Sequence, residues 1–456
     1  MFDDRINARE LNCLVLLTAI GIKCIHFGSI PVGMQVDEIG SAIDAWSLVN
    51  YGTDRYGWSL PVYFINYGGG QSALYTYLCA AFVWAFGFSE VTIRLPALLG
   101  SILLGVFGMK IVGRVWNERF NVSNERAQLL FLILYTLAPY CHMSARFGLD
   151  CNLMLGVSTM FLYTLIRSVE KRTATRFVLS GMAGGLVLYT YALSHAVMPI
   201  FLSMTLIYLM IVRRLRFEQM IAFAIPIGLI AMPLLIFHYV NLVGIDTIQI
   251  GSFTFNRLPT YRSGEFSLKG MPQHIWLVIK SCFAFDQIDY NTLKSFWTFY
   301  PMSAPLGLLG LINCAALMVK SIRDKSFSSV SLIVLWFIAE LIVGSLISGS
   351  TDRPDPANTN KMNGIMFAGM FFVVSGLVFV AGMLNARRRK VFLRIVGGIY
   401  VAYSIAFFAF YFGSYRPTFI WGIGFEKVIE LSAEQDYLPP IVIDTTFLRQ
   451  FDQRGQ

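Results

Sequence analysis

Three short polar segments in a largely apolar chain carry the residues that could do chemistry. The first is Val36-Asp37-Glu38. Two adjacent carboxylates just beyond an apolar run are costly to place at a membrane boundary without a use. A carboxylate held near an acceptor hydroxyl can serve as a general base. Asp44, Asp54, Arg55 and Tyr56 follow in the same loop. By themselves these acids also fit ordinary solvated loop residues. The second segment is Ser144-Ala145-Arg146-Phe147-Gly148-Leu149-Asp150-Cys151-Asn152. Its Arg, Asp and Asn stand in a connector too short to carry charge far into water. An interfacial Arg–Asp pair closing a helical hairpin is the plainer reading. The third segment, Tyr63-Phe64-Ile65-Asn66-Tyr67-Gly68-Gly69-Gly70-Gln71, offers free φ and bare backbone N–H groups that can approach a phosphate. It lacks the Gly-Lys-Ser/Thr of a P-loop, and a simple turn would use the same glycines.

The remaining polar residues on the same side are Arg257, Tyr261, Arg262, Asp286, Asp289, Asp352, Arg353, Asn360 and Lys361. Arg and Lys there suit a lipid phosphate, and equally the head groups of the bilayer. Candidate binding residues are Arg146, Asn152, Arg257, Arg262, Lys361, Gly69 and Gln71. Asp37, Glu38 and Asp150 have the oxygen ligands a divalent ion takes, or act bare. His195 follows Tyr189 and Tyr191 at a helix end, where aromatic-belt packing explains it. Lys23 and Glu340 lie inside apolar runs and are possible partners. The seven cysteines form no Cys-x-x-Cys pair and no zinc framework.

These segments need elements to position them, and composition says which. Of 456 residues, 56% are hydrophobic and 14% charged. Soluble domains carry about 25% charged residues. A soluble enzyme, a disordered chain and a secreted disulfide scaffold are excluded, and a polytopic membrane protein remains. Apolar runs long enough to cross lie near 11–30, 91–113, 127–143, 151–168, 177–194, 195–212, 219–237, 303–320, 330–347, 363–384 and 391–412. The run at 11–30 reads as a retained first span rather than a cleaved signal. Pro226 and Pro233 predict a kink in the span at 219–237.

Basic clusters at 110–126, 167–176, 213–216, 320–325 and 387–394 alternate with segments holding slightly more acids than bases. Short basic loops stay cytoplasmic. The net charge of +9 is thus a topology signal rather than a nucleic-acid footprint. The N-terminus is expected inside, with long outer loops at 31–70 and 238–302, the second holding a moderately apolar stretch at 272–285. If Asp37 and Asp150 share a cavity, one of the runs 71–88, 91–113 and 127–143 does not cross. The basic cluster at 110–126 leaves 71–88 as a membrane-level helix, for eleven crossings and an outer C-terminus.

At this point the motifs resemble a family. Asp37-Glu38 after the first span, GGGQSALYTYL, FGFSEVTIRLPALLGSILLGV, APYCHMSARFGLDCNLM, Tyr300-Pro301 and NTNKMNGIMF occur in the order seen in integral-membrane glycosyltransferases of the C superfamily. These use polyprenyl-phosphate sugars and include protein O-mannosyltransferases and lipid A aminoarabinose transferases. The resemblance spans roughly residues 10–415 and is specific over 31–155. It implies an all-α GT-C-type bundle with an outward cavity, a catalytic acid at Asp37 beside Glu38, and a second acid at Asp150. The Lys-Pro-Pro of the aminoarabinose branch reads Gly-Gly-Gln here. Many relatives add a sizeable outer domain, where this chain has 413–456. That tail reads as an amphipathic helix in GFEKVIELSAEQD and a strand start at PPIVIDT, following a catalytic bundle over 1–412.

The chemistry fits independently. A polyprenyl-phosphate sugar is already activated, so no nucleotide site is needed. One carboxylate takes the proton of an acceptor hydroxyl on a glycan, lipid or protein, and cations or backbone N–H groups meet the leaving phosphate. A single displacement inverts the anomeric carbon. A lipid-linked-sugar transporter would place paired charges at mid-membrane. A polysaccharide polymerase or ligase would rest on Arg and His in a late outer loop. A non-catalytic scaffold needs no early acid pair.

Overall fold

Long apolar stretches without internal breakers form helices that satisfy every backbone group internally, as a bilayer requires. The computed structural model describes residues 7–66, 69–115, 123–261, 268, 271–284, 291–347, 361, 363–415, 424–434 and 438–452. Its first half contains helices α1 (Ala8–Cys24), α2 (Val36–Tyr51), α3 (Ala73–Phe86), α4 (Glu90–Val115), α5 (Asn124–Leu137), α6 (Pro139–Met143), α7 (Asp150–Lys171), α8 (Ala174–Leu188) and α9 (Ser194–Ile211). The second half contains α10 (Phe217–Val243), α11 (Met271–Ala284), α12 (Ser303–Arg323), α13 (Ser329–Ile347), α14 (Met366–Met383), α15 (Ala386–Gly413), α16 (Phe425–Ala433) and α17 (Thr445–Asp452). Two antiparallel hairpins complete it: β1 (Tyr63–Asn66) with β2 (Gly69–Ser72), and β3 (Ile248–Ile250) with β4 (Phe253–Phe255).

The fold is the expected all-α membrane bundle. Eight helices among the described residues are long and apolar enough to cross a membrane: α4, α7, α9, α10, α12, α13, α14 with the 3₁₀ turn Asn363–Ile365 before it, and α15. The other expected crossings are shorter, at 17 residues for α1, 14 for α5 and 15 for α8. Helix α3 also has 14 residues, or about 21 Å at 1.5 Å per residue. Length alone therefore does not separate α3 from α5. Helices α7, α13 and α14 are enclosed by the rest of the bundle, whereas α10 and α15 present most of their apolar surface outward, as lipid-facing helices do. Helix α10 runs on through Pro226 and Pro233 without interruption.

Helices α4 and α7 pack closely because Gly100 faces Gly156. A side chain at Gly156 would run into the Gly100 carbonyl. Small residues let helix backbones approach where lipid gives no hydrophobic drive. This contact holds the start of α7, and so Asp150, against the α4 end that carries Arg94.

Lys23 and Glu340 are not partners. Lys23 Nζ donates to the Tyr135 carbonyl at 3.2 Å and stands 4.0 Å from the centre of the Tyr135 ring. Glu340 is buried on α13, with Oε1 unpaired among the described residues. The stretch expected at 272–285 is α11, packed on α13. The tail also differs from expectation. α16 forms where an amphipathic helix is predicted, but Pro439 to Asp444 is irregular chain leading into α17. Two consecutive prolines cannot donate to a ladder. The tail builds no core of its own: Phe425, Val428 and Leu448 join the bundle core, and Phe447 stacks on Trp46 of α2.

Candidate active site

Helix α2 sets the first acid. Gln35 caps it with extended backbone, its side chain accepting from the Asp37 N–H, while Glu38 at the third helical position accepts from the Gln35 N–H at 2.7 Å. This reciprocal cap fixes Asp37 and Glu38 in the first turn and sends them in different directions. Glu38 is fully buried. Its Oε1 accepts from Arg94 Nε at 3.0 Å and from the Gly148 N–H at 2.5 Å, and its Oε2 accepts from Arg94 Nη2 at 3.4 Å. Arg94 also donates to the carbonyls of Gly28, Pro31 and Gly33. The pair thus ties the loop before α2, α4 and the connector before α7 together.

Asp37 is half-buried and meets the β1–β2 hairpin. Asn66 Nδ2 donates to its Oδ1 at 3.0 Å, and Gln71 Nε2 donates to its backbone carbonyl at 3.3 Å. The next residue reaches the other acid: the Ser72 N–H donates to Asp150 Oδ2 at 3.4 Å. Two consecutive residues of β2, Gln71 and Ser72, therefore touch one acid each. Asp150 opens α7, where its Oδ1 accepts from the Cys151 N–H at 2.8 Å. Gly69 stands opposite Asn66 in the hairpin register, so no side chain crowds that amide from the facing strand.

Other predicted binding residues are spent on the protein itself. The Arg146 guanidinium donates to the carbonyls of Lys23, Ile25, His26 and Ile30 at 2.6–3.1 Å. It caps the C-terminal end of α1, a favourable place for a cation, and faces no open space for a phosphate. Asn152 joins Asn291 and Asn363 in a buried amide cluster: Asn291 Nδ2 and Asn363 Nδ2 both donate to Asn152 Oδ1, at 2.7 and 2.9 Å. Lys361 lies in the turn leading into that cluster and is half-buried. Arg257 is exposed and paired with Asp246 at 2.8 Å. With Trp58, Gln249 and Pro439 it lines a separate groove rather than the Asp37 site. Arg262, Gly68, Asp286, Asp289, Asp352, Arg353 and Asn360 lie outside the described residues.

The carboxylate trio expected as a possible metal cage does not assemble. Glu38 is closed off by Arg94, and among the described residues no three His, Cys, Asp or Glu side chains stand together as metal ligands. No step is assigned to a metal here.

Sequence reasoning missed Arg94, Asn66, Asn291 and Asn363. An Arg one turn into an apolar run was the visible signal for Arg94, since such a charge needs a buried partner. Arg55, named in the sequence without a partner, grips Asp44 bidentately at 2.7 and 2.8 Å and reaches Ser432 of α16 at 3.4 Å. Beside them, burial and the nearby Asp44 push the Asp54 carboxyl up to about 7.

No family model matches the sequence, and no curated protein sequence matches it either. Solved structures do resemble its fold. ArnT from Cupriavidus metallidurans in the apo state superposes with a TM-score of 0.55 at 15% identity, covering 88% of this chain and 70% of that one. The same protein bound to undecaprenyl phosphate gives a TM-score of 0.50 at 16% identity over the same shares. The chain thus has the helical fold seen in ArnT, with the acids at the start of α2 and of α7 gathered by one hairpin.

Proposed function

We propose that this chain is a membrane glycosyltransferase that moves a sugar from a polyprenyl-phosphate donor to a hydroxyl of a glycan, lipid or protein on the outer face of the cell membrane. The observation that carries this reading is the grip of consecutive β2 residues, Gln71 and Ser72, on Asp37 and Asp150. It leaves Asp37 as the half-buried carboxylate of the site while Glu38 is closed into an ion pair. Likeness of fold to ArnT, which is solved with undecaprenyl phosphate bound, supports the donor class.

In this reading Asp37 takes the proton of the acceptor hydroxyl as its oxygen bonds to the anomeric carbon. The bond from that carbon to the phosphate oxygen breaks, and the electron pair leaves with the polyprenyl phosphate. Configuration inverts. Glu38 acts through Arg94 by holding the α2 turn in place. Asp150 shapes the cavity beside Asp37. Lys361 and Arg262 are the cations proposed to meet the leaving phosphate. The N-terminus is cytoplasmic, and the C-terminus and both long loops are outside. Residues 1–412 form the catalytic bundle and 413–456 a short outer tail.

The test is donor dependence in isolated membranes. Labelled sugar should pass to acceptor from undecaprenyl-phosphate sugars and not from nucleotide sugars. Transfer from a nucleotide sugar in lipid-depleted protein would overturn the reading.

A further inference from the structure

Asn66 presents an amide to the proposed base, and the way it is seated is informative. The side chain lies flat against Gly40 of α2, and a methyl group built on Gly40 would overlap it. Asp37 and Gly40 are three residues apart, so they share one face of the helix. That face meets the hairpin. A side chain at position 40 would therefore push the amide off the carboxylate. The orientation of the amide follows from charge. Turning its oxygen toward Asp37 would set acceptor against acceptor, so Nδ2 faces Asp37 Oδ1. Asn66 Oδ1 is then buried without a partner among the described residues. Leaving a buried acceptor unpaired is destabilising, and the molecule accepts this to keep the N–H on Asp37. Gln71 steadies the same residue from the next strand, through the Asp37 backbone carbonyl rather than the carboxylate.

We infer that Asn66, seated on Gly40, is a positioning residue that orients the Asp37 carboxylate and keeps it ionised, so that the β1–β2 hairpin sets the basicity of the site. This rests on the general-base reading of Asp37. A hydrogen bond to the charged form favours that form. Its removal raises the pH at which Asp37 gains a proton. It also loosens the carboxylate, which Gln35 Nε2 still meets at Oδ2 at 3.2 Å, while Asp150 and Tyr191 are the titratable groups that share its surroundings.

The test is the pH dependence of sugar transfer by the full-length protein in membranes, using undecaprenyl-phosphate glucose, mannose and aminoarabinose as donors. Asn66→Leu should move the acid limb of kcat upward by about one to two pH units, the usual scale for a lost hydrogen bond to a carboxylate. The KM for donor should change less than threefold, since Asn66 touches no donor group. Gly40→Ala, which leaves the amide in the chain but displaces it, should move the limb the same way and keeps the test open if Asn66→Leu does not fold. Gln71→Met should lower kcat without moving the limb. Folded Asn66→Leu and Gly40→Ala proteins with the wild-type acid limb would overturn the inference. Asp37→Asn, run in parallel, separates the two claims. If it loses turnover while the Asn66 limb stays put, only the hairpin's role fails. If it keeps wild-type turnover, both fail.

Discussion

Glu38→Gln separates a structural acid from a catalytic one. In the protein the Glu38 carboxylate receives the Arg94 Nε and Nη2 donors and the N–H groups of Gln35 and Gly148, with no water contact. A glutamine keeps the shape but offers one oxygen. Its NH₂ group must face either Arg94 and Gly148 or Arg94 and Gln35, donor against donor. The fully buried Arg94 guanidinium is left without a counter-charge. Breaking one partner of such a pair costs about 3–5 kcal/mol. That is a large part of the 5–15 kcal/mol that holds a typical domain together. Replacing both partners by methionine should cost less than either single change, because two apolar side chains leave no charge stranded. The assay is denaturant unfolding in detergent for Glu38→Gln, Arg94→Met and the double variant, with transfer rates measured well below the transition. The singles should be strongly destabilised, and the double, Glu38→Met with Arg94→Met, less so than either. A Glu38→Gln protein as stable as wild type but about 10²–10⁴-fold slower, the usual loss of a general base, would refute this and move the base to position 38.

Three further outcomes follow from the same structure. Arg146→Ala should lower stability by leaving the carbonyls of Lys23, Ile25, His26 and Ile30 unpaired, while binding of undecaprenyl phosphate to the folded fraction stays within about twofold in direct titration, well under the tenfold that 1.4 kcal/mol of lost contact represents. Asp54→Asn should stabilise the protein increasingly as pH rises from about 4 to above 7: native Asp54, raised to about 7, holds its proton where the unfolded chain has released it, so wild-type stability falls across that window. Melting curves at pH 5 and pH 8 check this, and an equal effect at both would contradict it. A cysteine placed at position 121 of a Cys-free protein should resist an impermeant thiol reagent in intact cells, because the basic cluster around it holds that loop inside.

Membrane character was legible in the sequence because it rests on residue type. Apolar runs and Lys/Arg asymmetry are one-dimensional quantities, and Asp37-Glu38 and Asp150 stand out as charges at the ends of such runs. What was not legible was which of two adjacent acids faces the cavity. Helix geometry turns neighbours Asp37 and Glu38 about 100° apart, and the outcome depended on Arg94, 56 residues onward. Arg146 illustrates the converse. Its type suited a phosphate, but the carbonyls at the end of α1 claimed it, a demand that appears once the helix termini are in place. The Asn152–Asn291–Asn363 cluster joins residues up to 211 positions apart, and asparagine in a loop carries no mark of such a destination. At PPIVIDT the expected strand is reduced to one backbone bond, from the Val442 N–H to the Arg55 carbonyl at 3.2 Å.

The central claim is that Asp37 is the general base of sugar transfer. Its most direct measurement is single-turnover transfer from a saturating undecaprenyl-phosphate sugar by Asp37→Asn, with donor affinity titrated on the same preparation. Asparagine keeps the size of Asp37 and removes its proton acceptor. The account predicts a rate about 10²–10⁴-fold below wild type with donor affinity within about threefold, because the substitution leaves Asp37's hairpin contacts and the cations assigned to the donor phosphate in place. Near-normal turnover by Asp37→Asn at neutral pH would contradict it.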